Sequence, residues 1–131
     1  MTQSIALVTL VVRDYGEAIA WYTEKLGFRL VEDTALGHGK RWVVVEPAGG
    51  GTTRLLLAKA SGSEQEAHIG NQTGGRVAFF LSTENFSRDH ASMQQAGVHF
   101  LENPRHETYG IVAVFEDLYG NKWDLIEYSR R

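Results

Sequence analysis

Cysteine is absent from this 131-residue chain, which removes disulfides, thiolate nucleophiles and cysteine-ligated zinc or iron–sulfur centres together. A surplus of positive charge is missing as well. Thirteen lysines and arginines stand against 16 aspartates and glutamates, a formal charge of −3, so no cationic field draws the chain to phosphate backbones or anionic lipid, and neither nucleic acid nor membrane is an expected partner. There is no long apolar run. Ile5 to Val12 is cut off by Arg13-Asp14 well short of a membrane span, and no basic segment precedes it, which sets the expectation of a cytoplasmic protein. Without an export signal the sequon Asn71-Gln72-Thr73 carries no meaning. Gly49-Gly50-Gly51-Thr52-Thr53 lacks a lysine at phosphate-loop spacing and runs into a strand-like segment, so it reads as a hairpin loop. No serine nucleophile elbow occurs.

What remains is an ordinary globular composition, 43% hydrophobic and 22% charged, too short for a dinucleotide-binding enzyme with a separate substrate domain or for a (β/α)₈ barrel. Ile5 to Val12 reads as a strand. Asp14 caps a helix in which Tyr15, Ala18, Ile19, Tyr22 and Leu26 recur at helical spacing, Glu17 completes the start, and Gly27 ends it. Three strand-like runs follow, Phe28 to Glu32, Arg41 to Glu46 and Arg54 to Lys59, separated by glycine-bearing turns. The same order then returns: Arg76 to Leu81 as a strand, Asn85 to Ala96 as a helix closed by Gly97, then Val98 to Glu102, Ile111 to Glu116 and Lys122 to Tyr128. Gly27 maps on Gly97, Glu46 on Glu116 and Arg54 on Asp124 at one constant offset. The expected fold is α+β, with two βαβββ modules at 1–60 and 76–131 joined by a polar linker at 61–75, in which a short helical turn near Glu64 to Ile69 fits.

At this point the sequence resembles a known family. Leu10-Val11-Val12-Arg13-Asp14, followed by Ala18 through Phe28 with its Tyr22-Thr23-Glu24-Lys25-Leu26-Gly27 stretch, is similar to the opening signature of the vicinal oxygen chelate superfamily, which holds glyoxalase I, extradiol dioxygenases, fosfomycin resistance enzymes and bleomycin-resistance proteins. Val112 through Ile126, with the turn Tyr119-Gly120-Asn121, resembles its closing strand, turn, strand pattern, Leu118 standing where the family often has proline. The resemblance implies an open cup-shaped mixed sheet with the helices on its outer face, a ligand site on the concave side, and a homodimer. It also implies a divalent metal in the enzymes, held by histidine and glutamate from the first and last strands of each module. Those positions fall at Leu7, near Arg54, at Arg76 and at Asp124. Only Asp124 has a lone pair to give, since arginine is an obligate donor.

No metal cofactor is therefore expected. Alternation places Arg76 and Asp124 on the cup side, with Arg54 joining them by the repeat, and this surplus of guanidinium suggests a small organic ligand with an anionic tip. Trp42 and the loop residue Tyr109 complete the candidate binding set. The alternative is a divalent-metal lyase, isomerase or dioxygenase with Asp124 as one ligand. The histidines are scattered, and His106-Glu107, in a polar loop beside Tyr109, is the most interesting of them.

Overall fold

The computed structural model describes residues 2–51 and 53–130; Met1, Thr52 and Arg131 lie outside the described residues, as does the part of the Gly49 to Thr53 loop reading that falls on Thr52. The chain divides into two compact units, Met1–Ile69 and Gly70–Arg131.

In the first unit the order is β1 (Leu7–Val12), α1 (Tyr15–Lys25), β2 (Arg29–Gly37), β3 (Lys40–Glu46), β4 (Arg54–Lys59) and the short α2 (Ser63–Glu66). Asp14 caps α1 by accepting from the Glu17 amide at 2.9 Å, which satisfies one of the amides that a helix start leaves without a partner. The sheet order is β1-β4-β3-β2, with β1 parallel to β4 and the other pairs antiparallel. Val43 stands opposite Leu57 and Val45 opposite Leu55. With Leu10 and Val12 these side chains are buried on the face that α1 covers through Ala18 and Tyr22. The Tyr15 hydroxyl accepts from the Arg41 amide at 3.2 Å, and its ring lies under the Arg41 guanidinium, which ties the start of α1 to β3.

In the second unit the order is β5 (Val77–Ser82), α3 (Phe86–Gln95), β6 (His99–Phe100), β7 (Arg105–Glu107), β8 (Gly110–Glu116) and β9 (Lys122–Tyr128). β5 is parallel to β9, β8 is antiparallel to β9, and both β6 and β7 pair with β8. A row of rings joins α3 to the sheet: Phe86, His90, Phe100, Phe115, Trp123 and Phe79 follow one another with centroids 4.4–5.8 Å apart. The Glu127 carboxylate accepts from the Phe86 amide at 2.7 Å at the helix start.

The fold is thus mixed α+β with two open sheets, in agreement with the sequence reading; β2 runs on to Gly37, past the Glu32 expected, and two further details bear on the site. The strand expected from Val98 to Glu102 is shortened to β6 and a further strand, β7, follows it, so His106 and Glu107 lie on a strand and not in a loop. Between the two strands the carboxylate of Glu102 takes the Val114 amide at 3.0 Å. A side chain thus does the work of the missing backbone partner, and Pro104, which has no amide to offer, falls in the gap. Secondly, the repeat offset is not constant. Val45 faces Leu55 while Phe115 faces Trp123, so the β3–β4 loop is two residues longer than the β8–β9 loop. The structural counterpart of Arg54 is consequently Lys122, and that of Asp124 is Leu56.

The shorter β8–β9 turn is built around Asp117. Its carboxylate accepts from the amides of Tyr119 and Asn121 at 3.0 and 2.9 Å and from the Asn121 side-chain amide at 3.0 Å. Gly120 in this turn has φ +96°, the positive value expected of it. These bonds hold the turn in one conformation, with Leu118 at the position after Asp117.

Candidate functional site

Each sheet has a second face, turned away from its helix, and strand alternation decides what stands there. In the first unit the row is Leu7, Arg54, Glu46 and Arg29, with Thr9, Leu56 and Val44 one step along and Trp42 a step further. Glu46 is 2% exposed and takes both arginines: Arg54 Nε donates to its Oε2 at 2.8 Å and Arg29 donates to its Oε1. The two guanidinium groups hold the Glu46 carboxyl below the usual carboxylate range. Arg54 is therefore committed to a neighbour within the sheet. Trp42 is on the same face, 38% exposed.

In the second unit the corresponding face carries Phe80, Asp124 and Val114 in one row, with Ser82, Ile126, Val112 and Arg105 in the next. Asp124 is 8% exposed, and its Oδ1 is buried with no hydrogen-bond partner. Burial pushes its carboxyl above the ordinary aspartate value; the positive Arg105 works against this and the negative Glu102 with it. Arg105 itself is engaged elsewhere. Its Nε donates to Glu102 at 3.1 and 3.0 Å and its Nη1 to Glu107 at 3.2 Å, and Tyr109 bonds to it as well; these partners, Glu102 foremost, hold the guanidinium firmly protonated. Tyr109 sits in the two-residue turn between β7 and β8, 45% exposed. It borders an open recess lined by Thr108, Tyr109, Tyr128, Ser129 and Arg130.

Of the residues expected to form one binding set, Asp124 and Tyr109 are brought into one neighbourhood through Arg105. Arg54 and Trp42 share a face in the other unit. Arg76 lies just before β5 and is exposed. A register shift between Val77 and Phe79 interrupts the alternation that would have carried it onto the face of Phe80. The sequence reading missed Arg105 and Glu102, because a three-residue polar strand after a proline has no apolar periodicity to announce it.

The donor set does not fit a divalent cation. Among the described residues no group of three or more histidines, aspartates and glutamates is placed to hold a metal ion, and Asp124 has an arginine and not an imidazole nearby. His99 pairs with Glu116 at 2.8 Å at an exposed strand end. His106 is exposed on β7.

Two units of this order, each a mixed sheet backed by a helix, define a class of fold, and the comparisons give its name. The chain belongs to the Glyoxalase/Bleomycin resistance protein/Dioxygenase superfamily, whose family model matches residues 4–125. An uncharacterized protein of Shewanella frigidimarina (strain NCIMB 400) is 55% identical over 130 residues, covering 98% of this chain and 96% of that protein. Among solved structures, UcmS2 superposes with a TM-score of 0.83 at 32% identity, covering 96% of this chain and 98% of that one. TnmS3, an antibiotic-binding protein from Streptomyces sp. CB03234, superposes with a TM-score of 0.78 at 28% identity, covering 98% of both chains. No helix among the described residues is long and apolar enough to cross a membrane.

Proposed function

We propose that this protein binds a small organic molecule on the helix-free face of its sheets, without a resident metal ion, and that binding rather than catalysis is its task. The observation that carries this reading is the donor set. The corresponding positions of β4 and β9 on the helix-free faces are Leu56 and Asp124, with Leu7 on β1 and Arg54 held by Glu46, whereas Lewis-acid polarisation needs several oxygen or imidazole donors on one ion. The antibiotic-binding role of TnmS3, at 28% identity over nearly the whole chain, supports the same kind of activity.

An anionic tip on the ligand draws little support from the geometry. Arg54 is engaged by Glu46, Arg76 stands off the sheet, and Arg105 is occupied by Glu102 and Glu107. The second reading is a metal-dependent lyase, isomerase or dioxygenase. It is favoured only by the open acceptor on Asp124, which a metal ion would satisfy. A stabilisation screen separates the two: a library of neutral and charged organic compounds is run beside nickel, zinc, manganese and iron salts, and the melting temperature is read. Organic hits with no response to any metal are expected. Stabilisation by one metal alone, saturating at one equivalent, would replace this proposal with the enzyme.

A further inference from the structure

Resting on the reading that an organic molecule binds here, the chemistry of that molecule follows from three features of the second unit. The first is a carboxylate short of donors: Asp124 is 8% exposed and its Oδ1 is closed to solvent without a hydrogen-bond partner, a state that costs free energy in the free protein and is relieved when the side chain turns to meet a group that brings a hydrogen to the carboxylate. Next to it, directly opposite on β5, stands Phe80, whose side chain is 61% exposed. A large aromatic ring left in water beside a desolvated carboxylate is a platform without a load. The flanking positions Val114 and Ile126 are apolar. The third feature is charge. Glu102, Glu107 and Asp124 surround a single guanidinium, Arg105, and the two glutamates already use it. Around Asp124 the carboxylates outnumber the guanidinium, and Lys122, two residues along β9, is turned to the Gly75 carbonyl at 3.2 Å, so an anionic ligand meets repulsion at this point of the face.

We infer that the second unit recognises a flat, largely apolar molecule carrying a hydrogen-bond donor, a phenolic hydroxyl, an amine or an amide N–H, with its ring system against Phe80 and its donor on the Asp124 carboxylate. Phe80 supplies affinity for the body of the ligand. Asp124 supplies selectivity, because a ligand lacking the donor leaves the buried oxygen unpaired.

Four probes with one ring system test this: naphthol, its methyl ether, naphthylmethylammonium and naphthoate, each titrated calorimetrically into the full chain. Naphthol and the ammonium compound should bind about tenfold or more tighter than the ether and the carboxylate. Asp124→Leu should bring naphthol down to the level of its ether. Asp124→Asn, which keeps the shape and one acceptor oxygen, guards against a folding artefact; it should retain the preference for naphthol over the ether and lose the advantage of the ammonium. Phe80→Ala should weaken the neutral and cationic probes by similar factors. If naphthoate or the ether binds as well as naphthol, or if Asp124→Leu leaves naphthol unaffected, the assignment of the donor is wrong while the binding role stands. If none of the four binds in the millimolar range, the binding role on this face falls with it.

Discussion

The two units follow one plan and use a carboxylate on the helix-free face in opposite ways. In the first, Glu46 is buried between Arg29 and Arg54, and all its acceptor capacity toward the sheet is spent. In the second, Asp124 is buried beside an arginine that belongs to other carboxylates, and one of its oxygens has no partner. A charge-assisted triplet of the first kind is a structural fastening. An open acceptor of the second kind is a cost retained in the folded state, and natural proteins keep such costs where something else is to be bound. On the proposed reading the first carboxylate belongs to the scaffold and the second to the binding face.

Substitutions in the helix-covered layers set the scale against which that difference is read. Phe115→Ala, which removes the centre of the ring row in the second unit, should cost about 3–5 kcal/mol, and Leu57→Ala in the first about 2–5 kcal/mol; chemical denaturation measures both. The hairpins should differ more sharply. Gly110 has φ +148°, and an added Cβ would lie 2.1 Å from the Glu127 carbonyl oxygen, so Gly110→Ala should lower the melting temperature by several degrees, whereas Lys40→Ala at the matching place in the first unit should be nearly silent.

The carboxylates themselves should respond with opposite signs. Glu46→Gln should destabilise, since it removes the charge that both arginines face. Asp124→Asn should leave the melting temperature unchanged or raise it, since it relieves a desolvated charge. Acid should separate them in the same way. The folded pKa of Glu46 is lowered, so its contribution is intact above the ordinary glutamate range and is lost as pH falls through the lowered value. The folded pKa of Asp124 is raised, so the native state takes up that proton first, and stability gains from Asp124 as pH falls from the raised value toward the unfolded one. Melting curves of the two variants against the parent, carried from neutral pH down through the carboxylate range, would show the two differences shrink toward zero from opposite sides, that of Asp124→Asn at the higher pH. The smallest effect is expected at His99→Ala: the His99–Glu116 pair holds the place of Arg29–Glu46 but is exposed, and such pairs contribute about 0–1 kcal/mol.

Much of this molecule was legible in its residues. Asp14, Asn85, Gly27 and Gly97 mark the helix ends because caps and left-handed turns demand particular side chains, and Val43 to Glu46 against Leu55 to Leu57 carry the apolar signal of strands buried by a helix. The site was legible only in part. Asp124 could be placed on the correct face because β9 is regular. Arg54 could not be paired correctly with it, since a loop two residues longer in one unit shifts the repeat without changing its apolar pattern. Arg76 was lost to a bulge, which leaves no trace in hydrophobic periodicity. Glu102 was missed because its side chain replaces a backbone partner, and Arg105 because its short polar strand carries no apolar periodicity.

The central claim is that an organic molecule, and not a metal ion, answers Asp124. Its most direct test is the metal content of the full chain purified without chelator, measured by mass spectrometry of the elements. The account predicts every divalent transition metal at well below one equivalent per chain. Nickel, zinc, manganese or iron at close to one equivalent, lost on substitution of Asp124 by Ala, would contradict it.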